Sequence, residues 1–183
     1  MKKTFLSLML AAVALCGCAA NNSKHSDEQV ADNTATTDEA VATDEATGDG
    51  MAPDFTLTAI DGTQLSLSQL RGRYVVVDFW GSWCYWCIKG MPQMKEYYKK
   101  YDGRFEILGV DCGDSDADWR AAVEKHELPW KHVYCPEDSK LLQTYGIQGF
   151  PTKLVIDPEG RLVKTIVGED PAFYTFLDEL FGQ

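Results

Sequence analysis

Cys84 and Cys87 stand two residues apart in Trp83-Cys84-Tyr85-Trp86-Cys87, shortly after the run Val75-Val76-Val77-Asp78-Phe79-Trp80. Two thiols at that spacing can close into a disulfide or open into a dithiol, passing two electrons to or from another disulfide. The residues around them must do the positioning. The β-branched apolar run reads as a buried strand, and Met91 to Tyr101 has helical spacing, so a strand feeds a short turn and Cys84 falls at the start of a helix. Unpaired N–H groups and the positive end of the helix dipole stabilise an anion there. A thiol in that place ionises more readily, and the thiolate is the nucleophile, so Cys84 is expected to attack and to be the more exposed cysteine. Cys87, one turn further on, can close back onto it. Asp78 lies inside the apolar strand and is expected to be desolvated, with its pKa raised.

The neighbouring aromatics divide into core and surface. Trp80 reads as core. Trp83, Tyr85 and Trp86 could form an apolar platform for a substrate, with Tyr85 and Trp86 on the outside. A lone pair of cysteines also looks like half a zinc site, but Cys112 and Cys135 lack the close spacing of a second half, so no metal is expected. These two follow separate strands that could be neighbours. In an oxidising compartment they could form a disulfide, structural or redox-active, or remain two separate buried thiols. His25, His126 and His132 have no partner cysteines in the pattern.

The N-terminus addresses the compartment. Lys2 and Lys3 precede an apolar run from Phe5 to Leu15, too short to span a bilayer and shaped like a signal peptide. It ends at Leu15-Cys16-Gly17-Cys18, which resembles a bacterial lipobox with Cys18 as the lipidated residue. An ordinary secretory signal is the alternative. Residues 1–17 are thus read as signal peptide and residues 18–50 as an acidic tether. The tether carries Thr-Asp-Glu-Ala at 37–40 and again at 43–46, and it has no aromatic residue. So little apolar burial cannot offset the entropy of ordering it, and as a flexible coil it would span roughly 30 Å root-mean-square. The net charge of −11 argues against nucleic acid as a partner.

Residues 51–183 read as one domain. Phe55–Thr58 and Gln64–Leu67 alternate around the turn signal Asp61-Gly62, giving a hairpin. Buried strands follow at Tyr74–Phe79, Phe105–Val110, Trp130–Cys135 and Lys153–Asp157, with another at Arg161–Val167. Helices are expected after Cys87, over Asp116–Leu128 with Pro129 as its stop, over Ser139–Tyr145, and over Pro171–Phe181. Pro92 is expected to kink the first of these. Strands alternating with helices and ending in a hairpin give an α/β fold, a mixed sheet with helices on both faces.

Trp83-Cys84-Tyr85-Trp86-Cys87 resembles the WCxxC signature of the thioredoxin superfamily. Ala52-Pro53-Asp54-Phe55, Asp61-Gly62 and Leu70-Arg71-Gly72 resemble its membrane-anchored TlpA-like (ResA-like) branch, and the likeness runs from Met51 to the C-terminus. It implies a thioredoxin-like fold with an N-terminal hairpin and an inserted helix–strand unit. It implies that Asp78 is general base toward a resolving Cys87, and that Phe150-Pro151-Thr152 is a cis-proline loop pairing with an extended substrate. The branch often has a Glu three residues after the second cysteine, where this chain has Gly90. Thioredoxins also place a lysine near the Asp, where Ile107 or a neighbour stands here. The implied activity is thiol–disulfide exchange without a cofactor, reducing cysteines of exported proteins such as apocytochrome c, with electrons from a transmembrane thiol carrier and the domain in the periplasm. The alternatives are an oxidase or isomerase of the same fold, a peroxidase, or a tethered copper carrier. Gly81 stands where a peroxidase would have Thr, and the cysteine spacing is wrong for the copper carrier. Tyr85-Trp86 replaces the proline-containing pair more usual between such cysteines.

Overall fold

A computed structural model describes residues 50–182. The expected signal peptide, Cys18 and almost all of the tether lie outside the described residues. The alternating segments form strands β1 (Thr56–Ala59) and β2 (Gln64–Ser66), paired antiparallel with Thr56 opposite Ser66. Their turn uses Gly62 at φ +84°, while Asp61 accepts the Thr63 N–H at 2.9 Å. A 3-10 turn at Leu67–Leu70 follows, with Leu67 and Leu70 buried.

The remaining strands are β3 (Tyr74–Trp80), β4 (Phe105–Cys112), β5 (Lys131–Cys135), β6 (Thr152–Ile156) and β7 (Leu162–Val167). The helices are α1 (Tyr85–Lys100), α2 (Asp116–Lys125), α3 (Leu141–Thr144) and α4 (Pro171–Phe181). The seven strands make one sheet in the order β2-β1-β5-β4-β3-β6-β7. β3, β4 and β5 run parallel, and all other pairings are antiparallel. This is the mixed, thioredoxin-like sheet, with α2 and β5 as the inserted helix–strand unit.

Because successive strand residues point to opposite faces, β3 feeds two cores. Val76 and Trp80 join Ile107, Val155 and the residues of α1, α2 and α4 on one face. Val75, Val77 and Phe79 pack on the other with Leu67, Leu70 and Leu141. Asp78 shares the parity of Val76 and Trp80, so it belongs to the face that α1 covers with Cys87, Met91 and Met94. α4 buries Phe173, Tyr174, Leu177 and Phe181, and Phe181 stacks on Phe105 with ring centroids 5.4 Å apart. Burying one such side chain contributes about 1.5–3 kcal/mol, enough to fix α4 and the turn before it.

α1 carries Pro92 within its span. One expectation changes. α2 stops at Lys125, before Pro129 can act: Glu127 takes φ +49°, its N–H bonds the Glu124 carbonyl and the Leu128 N–H bonds the Val123 carbonyl. That is a Schellman turn, and it delivers Leu128 into the core. No helix among the described residues is long and apolar enough to cross a membrane.

Candidate active site

β3 ends at Trp80, and Gly81-Ser82-Trp83 carries the chain to α1. The turn is held from the end of β4. Ser82 donates its N–H and its hydroxyl to the Asp114 carboxylate, both at 2.6 Å, and Trp83 Nε1 donates to the Cys112 carbonyl at 2.9 Å. Gly81 is required by close approach, since a β-carbon there would strike the Trp83 indole. Cys84 therefore arrives as the N-cap of α1, and its sulfur accepts the Cys87 N–H at 3.2 Å. A thiolate on Cys84 would receive that donor together with the dipole of a sixteen-residue helix.

Cys84 and Cys87 are disulfide-bonded, with Cα atoms 5.3 Å apart. Cys84 keeps 6% of its surface exposed and Cys87 4%, so the expected contrast between them is narrow in this state. Trp83, Tyr85 and Trp86 around them are each more than half exposed. Tyr85 and Trp86 meet edge to face at 5.3 Å, Trp83 meets Phe150 at 5.2 Å, and Lys89 Nζ lies 4.6 Å over the Trp86 ring. Trp80 is core.

The Phe150–Pro151 peptide is cis. The Gly168 N–H takes the Pro151 carbonyl at 2.7 Å, tying this loop to the turn after β7. Thr152, expected on the substrate surface, needs correction: it is buried, and its hydroxyl donates to the Gly149 carbonyl at 2.8 Å, so its side chain shapes the loop from within.

Beneath the first turns of α1 lies a group of charges. Burial pushes Asp78 up to about 6, against the opposing pull of the Lys153 ammonium and with a smaller push from Glu169. Its Oδ1 is buried without a hydrogen bond and sits 4.0 Å from Lys153 Nζ. Lys153 faces Asp78 directly across the antiparallel β3–β6 pairing. A lysine thus stands beside Asp78 from β6, not from the Ile107 region of β4. Lys153 is 1% exposed, its Nζ lies 2.9 Å from Glu169 Oε2, and the Tyr174 hydroxyl donates to Glu169 Oε1 at 2.8 Å. The Glu169 carboxylate fills the space above Gly90, where any β-carbon would collide with it. Lys153, Glu169 and Tyr174 were not singled out in the sequence. The available signal was Lys153 itself, a charge opening the apolar run Leu154-Val155-Ile156, as Asp78 interrupts its own.

Cys112 and Cys135 stand opposite each other at the ends of β4 and β5 as two free, buried thiols, so the disulfide considered for them is not formed here. Their contact and their burial drive the Cys112 thiol well up, which makes it a poor nucleophile.

Comparison with known proteins agrees with this geometry. Residues 49–165 match the AhpC/TSA family. The thiol-disulfide oxidoreductase ResA of Bacillus thuringiensis is 36% identical over 119 residues, covering 64% of this chain and 68% of that one. The crystal structure of the thioredoxin domain of a Bacteroides vulgatus thiol-disulfide oxidoreductase superposes with a TM-score of 0.66 at 32% identity, covering 72% of this chain and 95% of that one. The exposed lipoprotein thioredoxin Etrx1 of Streptococcus pneumoniae superposes with a TM-score of 0.60 at 32% identity, covering 69% and 99%. A bonded cysteine pair capping a helix on a thioredoxin-like sheet, with relatives of this kind, makes the chain a thiol–disulfide oxidoreductase belonging to the AhpC/TSA family.

Proposed function

We propose that this chain is a lipid-anchored reductase of the bacterial cell envelope, acting on cysteines of exported proteins such as apocytochrome c and recharged by a transmembrane thiol carrier. Residues 1–17 are its signal peptide, Cys18 carries the lipid, residues 18–50 are the acidic leash, and residues 51–183 work in the periplasm. The lipobox-like Leu15-Cys16-Gly17-Cys18 supports the anchor, as does the description of one solved relative as a lipoprotein.

The observation that carries the exchange reading is the Cys84–Cys87 disulfide at the head of α1 beside an exposed aromatic rim. Cys84 is the nucleophile. Its thiolate attacks a substrate disulfide, forming a mixed disulfide and releasing one substrate sulfur. Asp78 then takes the proton of Cys87, and Cys87 closes onto Cys84 and expels the second substrate sulfur. The Pro151 loop lies alongside. With the Pro151 carbonyl already bonded to Gly168, strand-like pairing with a substrate falls to the Phe150 backbone. Trp83, Tyr85, Trp86 and the Phe150 ring offer the apolar contact.

Equilibration of the Cys84–Cys87 couple with glutathione tests the direction. A potential below about −250 mV is expected of a reductase, whereas one near about −120 mV would make the chain an oxidase. The anchor is tested in parallel by Cys18→Ser, which is expected to leave the membrane fraction; a variant that still sediments with membranes would overturn it.

A further inference from the structure

Glu169 and Lys153 form an ion pair that the exchange steps above leave without a task. Their placement is costly. Lys153 Nζ is buried with the Phe173 ring 5.5 Å away and meets two carboxylates, Glu169 at 2.9 Å and Asp78 at 4.0 Å. A buried ion pair contributes little to net stability compared with apolar packing, so its presence beside a reacting thiol calls for another role. Three further features hold the pair in one geometry. Gly90 leaves the volume that the Glu169 carboxylate enters, Tyr174 donates to Oε1, and Asp170 caps α4 through the Ala172 N–H at 2.8 Å.

We propose that Glu169 is a positioning residue for thiol–disulfide exchange: through Lys153 it sets how readily Asp78 gives and takes the Cys87 proton, and hence the pH range over which a mixed disulfide on Cys84 is released. This rests on Asp78 being the base toward Cys87. In that step the Cys87 thiol passes its proton to the Asp78 carboxylate, and the new thiolate attacks Sγ of Cys84. The Cys84–Cys87 bond forms as the Cys84–substrate bond breaks, and the substrate sulfur departs with the electron pair. The dithiol is oxidised, the substrate is reduced, and Asp78 later returns its proton to water.

The charges facing Asp78 give the sign. From β6 comes the Lys153 ammonium, from the turn after β7 the Glu169 carboxylate, and from α4 the Tyr174 hydroxyl, which is spent on Glu169; α1 covers this face with the uncharged Cys87, Met91 and Met94. The strand neighbour on β4 is Gly109, which carries no side chain; two residues on, on the same face, burial pushes the Asp111 carboxyl up to about 8, so it too holds its proton through the acid limb. Beyond Gly109 on β5, burial pushes His132 down to about 4, leaving it neutral at working pH. Cys112, on the opposite face, stays protonated. Glu169 therefore opposes Lys153 twice, by neutralising it and by repelling the Asp78 charge, and both actions keep the proton on Asp78 to higher pH.

Glu169→Gln keeps the shape and removes only the charge. The test reacts the reduced protein with 5,5′-dithiobis(2-nitrobenzoate) and follows release of the second thionitrobenzoate, when Cys87 resolves the adduct on Cys84, from about pH 4 to about pH 9. The acid limb of that rate is expected to move down by about one pH unit in Glu169→Gln. In Lys153→Met/Glu169→Gln, which leaves neither charge alone in the interior, it is expected to move up, because the attraction lost exceeds the repulsion lost. An acid limb that stays put in Glu169→Gln would overturn the inference; if that variant fails to fold, the double variant is compared with Lys153→Met, and coincident limbs in those two would overturn it. Asp78→Asn separates the two claims. If it retains the limb, Asp78 is not the base toward Cys87, and the role of Glu169 falls with that assignment while the exchange at Cys84 and Cys87 stands. If it abolishes the limb while Glu169→Gln leaves it in place, only the role of Glu169 falls.

Discussion

Beneath the first turns of α1 lie Asp78, Lys153 and Glu169, buried or nearly so; around its rim stand Trp83, Tyr85 and Trp86, each more than half exposed. Folded chains ordinarily place these residue types the other way round. The inner charges lose hydration, so each stays charged only while its neighbours compensate it. The outer rings keep more than half their surface in water and offer apolar area that a docking partner can cover. Helix α1 thus separates two tasks that a single surface would confuse: proton traffic happens behind it and partner recognition in front.

Removing the Lys153 cation behind the helix should break this contrast most severely. Lys153→Met leaves two carboxylates without compensation and is expected to cost about 3–5 kcal/mol in denaturant unfolding. A loss below about 1 kcal/mol would mean the inner charges stand independently.

Asp78→Asn comes next and has the opposite sign. The folded-state pKa of Asp78 is raised from 3.8 to about 6, so the folded protein binds its proton more tightly than the unfolded chain. Ionising Asp78 then destabilises the fold: the penalty is absent below about pH 4, grows through about pH 6, and is fully present above that. Asp78→Asn is expected to be more stable than the parent by about 3 kcal/mol at pH 8 and equal to it below about pH 4, read by unfolding of the oxidised form at both pH values. A variant no more stable at pH 8 would show that Lys153 already satisfies the carboxylate.

The rim gives the smallest structural effect and sharpens the contrast. Tyr85→Ala and Trp86→Ala are expected to change unfolding free energy by no more than about 0.5 kcal/mol, because these rings already face water. Each is expected to raise KM for a disulfide-containing protein substrate by about tenfold, with kcat much less affected. Equal losses in kcat and kcat/KM would place the rings in the chemistry rather than in docking.

Much of this organisation was legible in the residue order, and what was not has a physical reason. Local periodicity disclosed β3 and the head of α1, because an apolar run followed by a turn and a helical stripe leaves few other arrangements. The exposed Tyr85 and Trp86 followed from the same pattern. Lys153 escaped because its partnership with Asp78 is one of register: 75 positions apart in the chain, they meet only when β6 lies antiparallel to β3. Glu169 escaped because a carboxylate in a turn ordinarily faces water, and nothing local reveals that Gly90 has left room for it. Thr152 was misread in the same way, since membership of a substrate loop does not say which side of the loop a hydroxyl serves. The end of α2 was misplaced because proline is the visible stop, whereas a glutamate in the left-handed region is not.

Gly168, Glu169 and Asp170 occupy three consecutive positions with three unrelated attachments. Gly168, at φ +85°, reaches the Pro151 carbonyl, Glu169 reaches beneath α1, and Asp170 caps α4. Most surface turns tolerate an added residue by bulging outward. Here an insertion of one residue would throw at least one attachment out of reach of the others, so in this stretch the spacing itself is under constraint, and a gap or extra letter there would be a sharper sign of altered chemistry than most substitutions nearby.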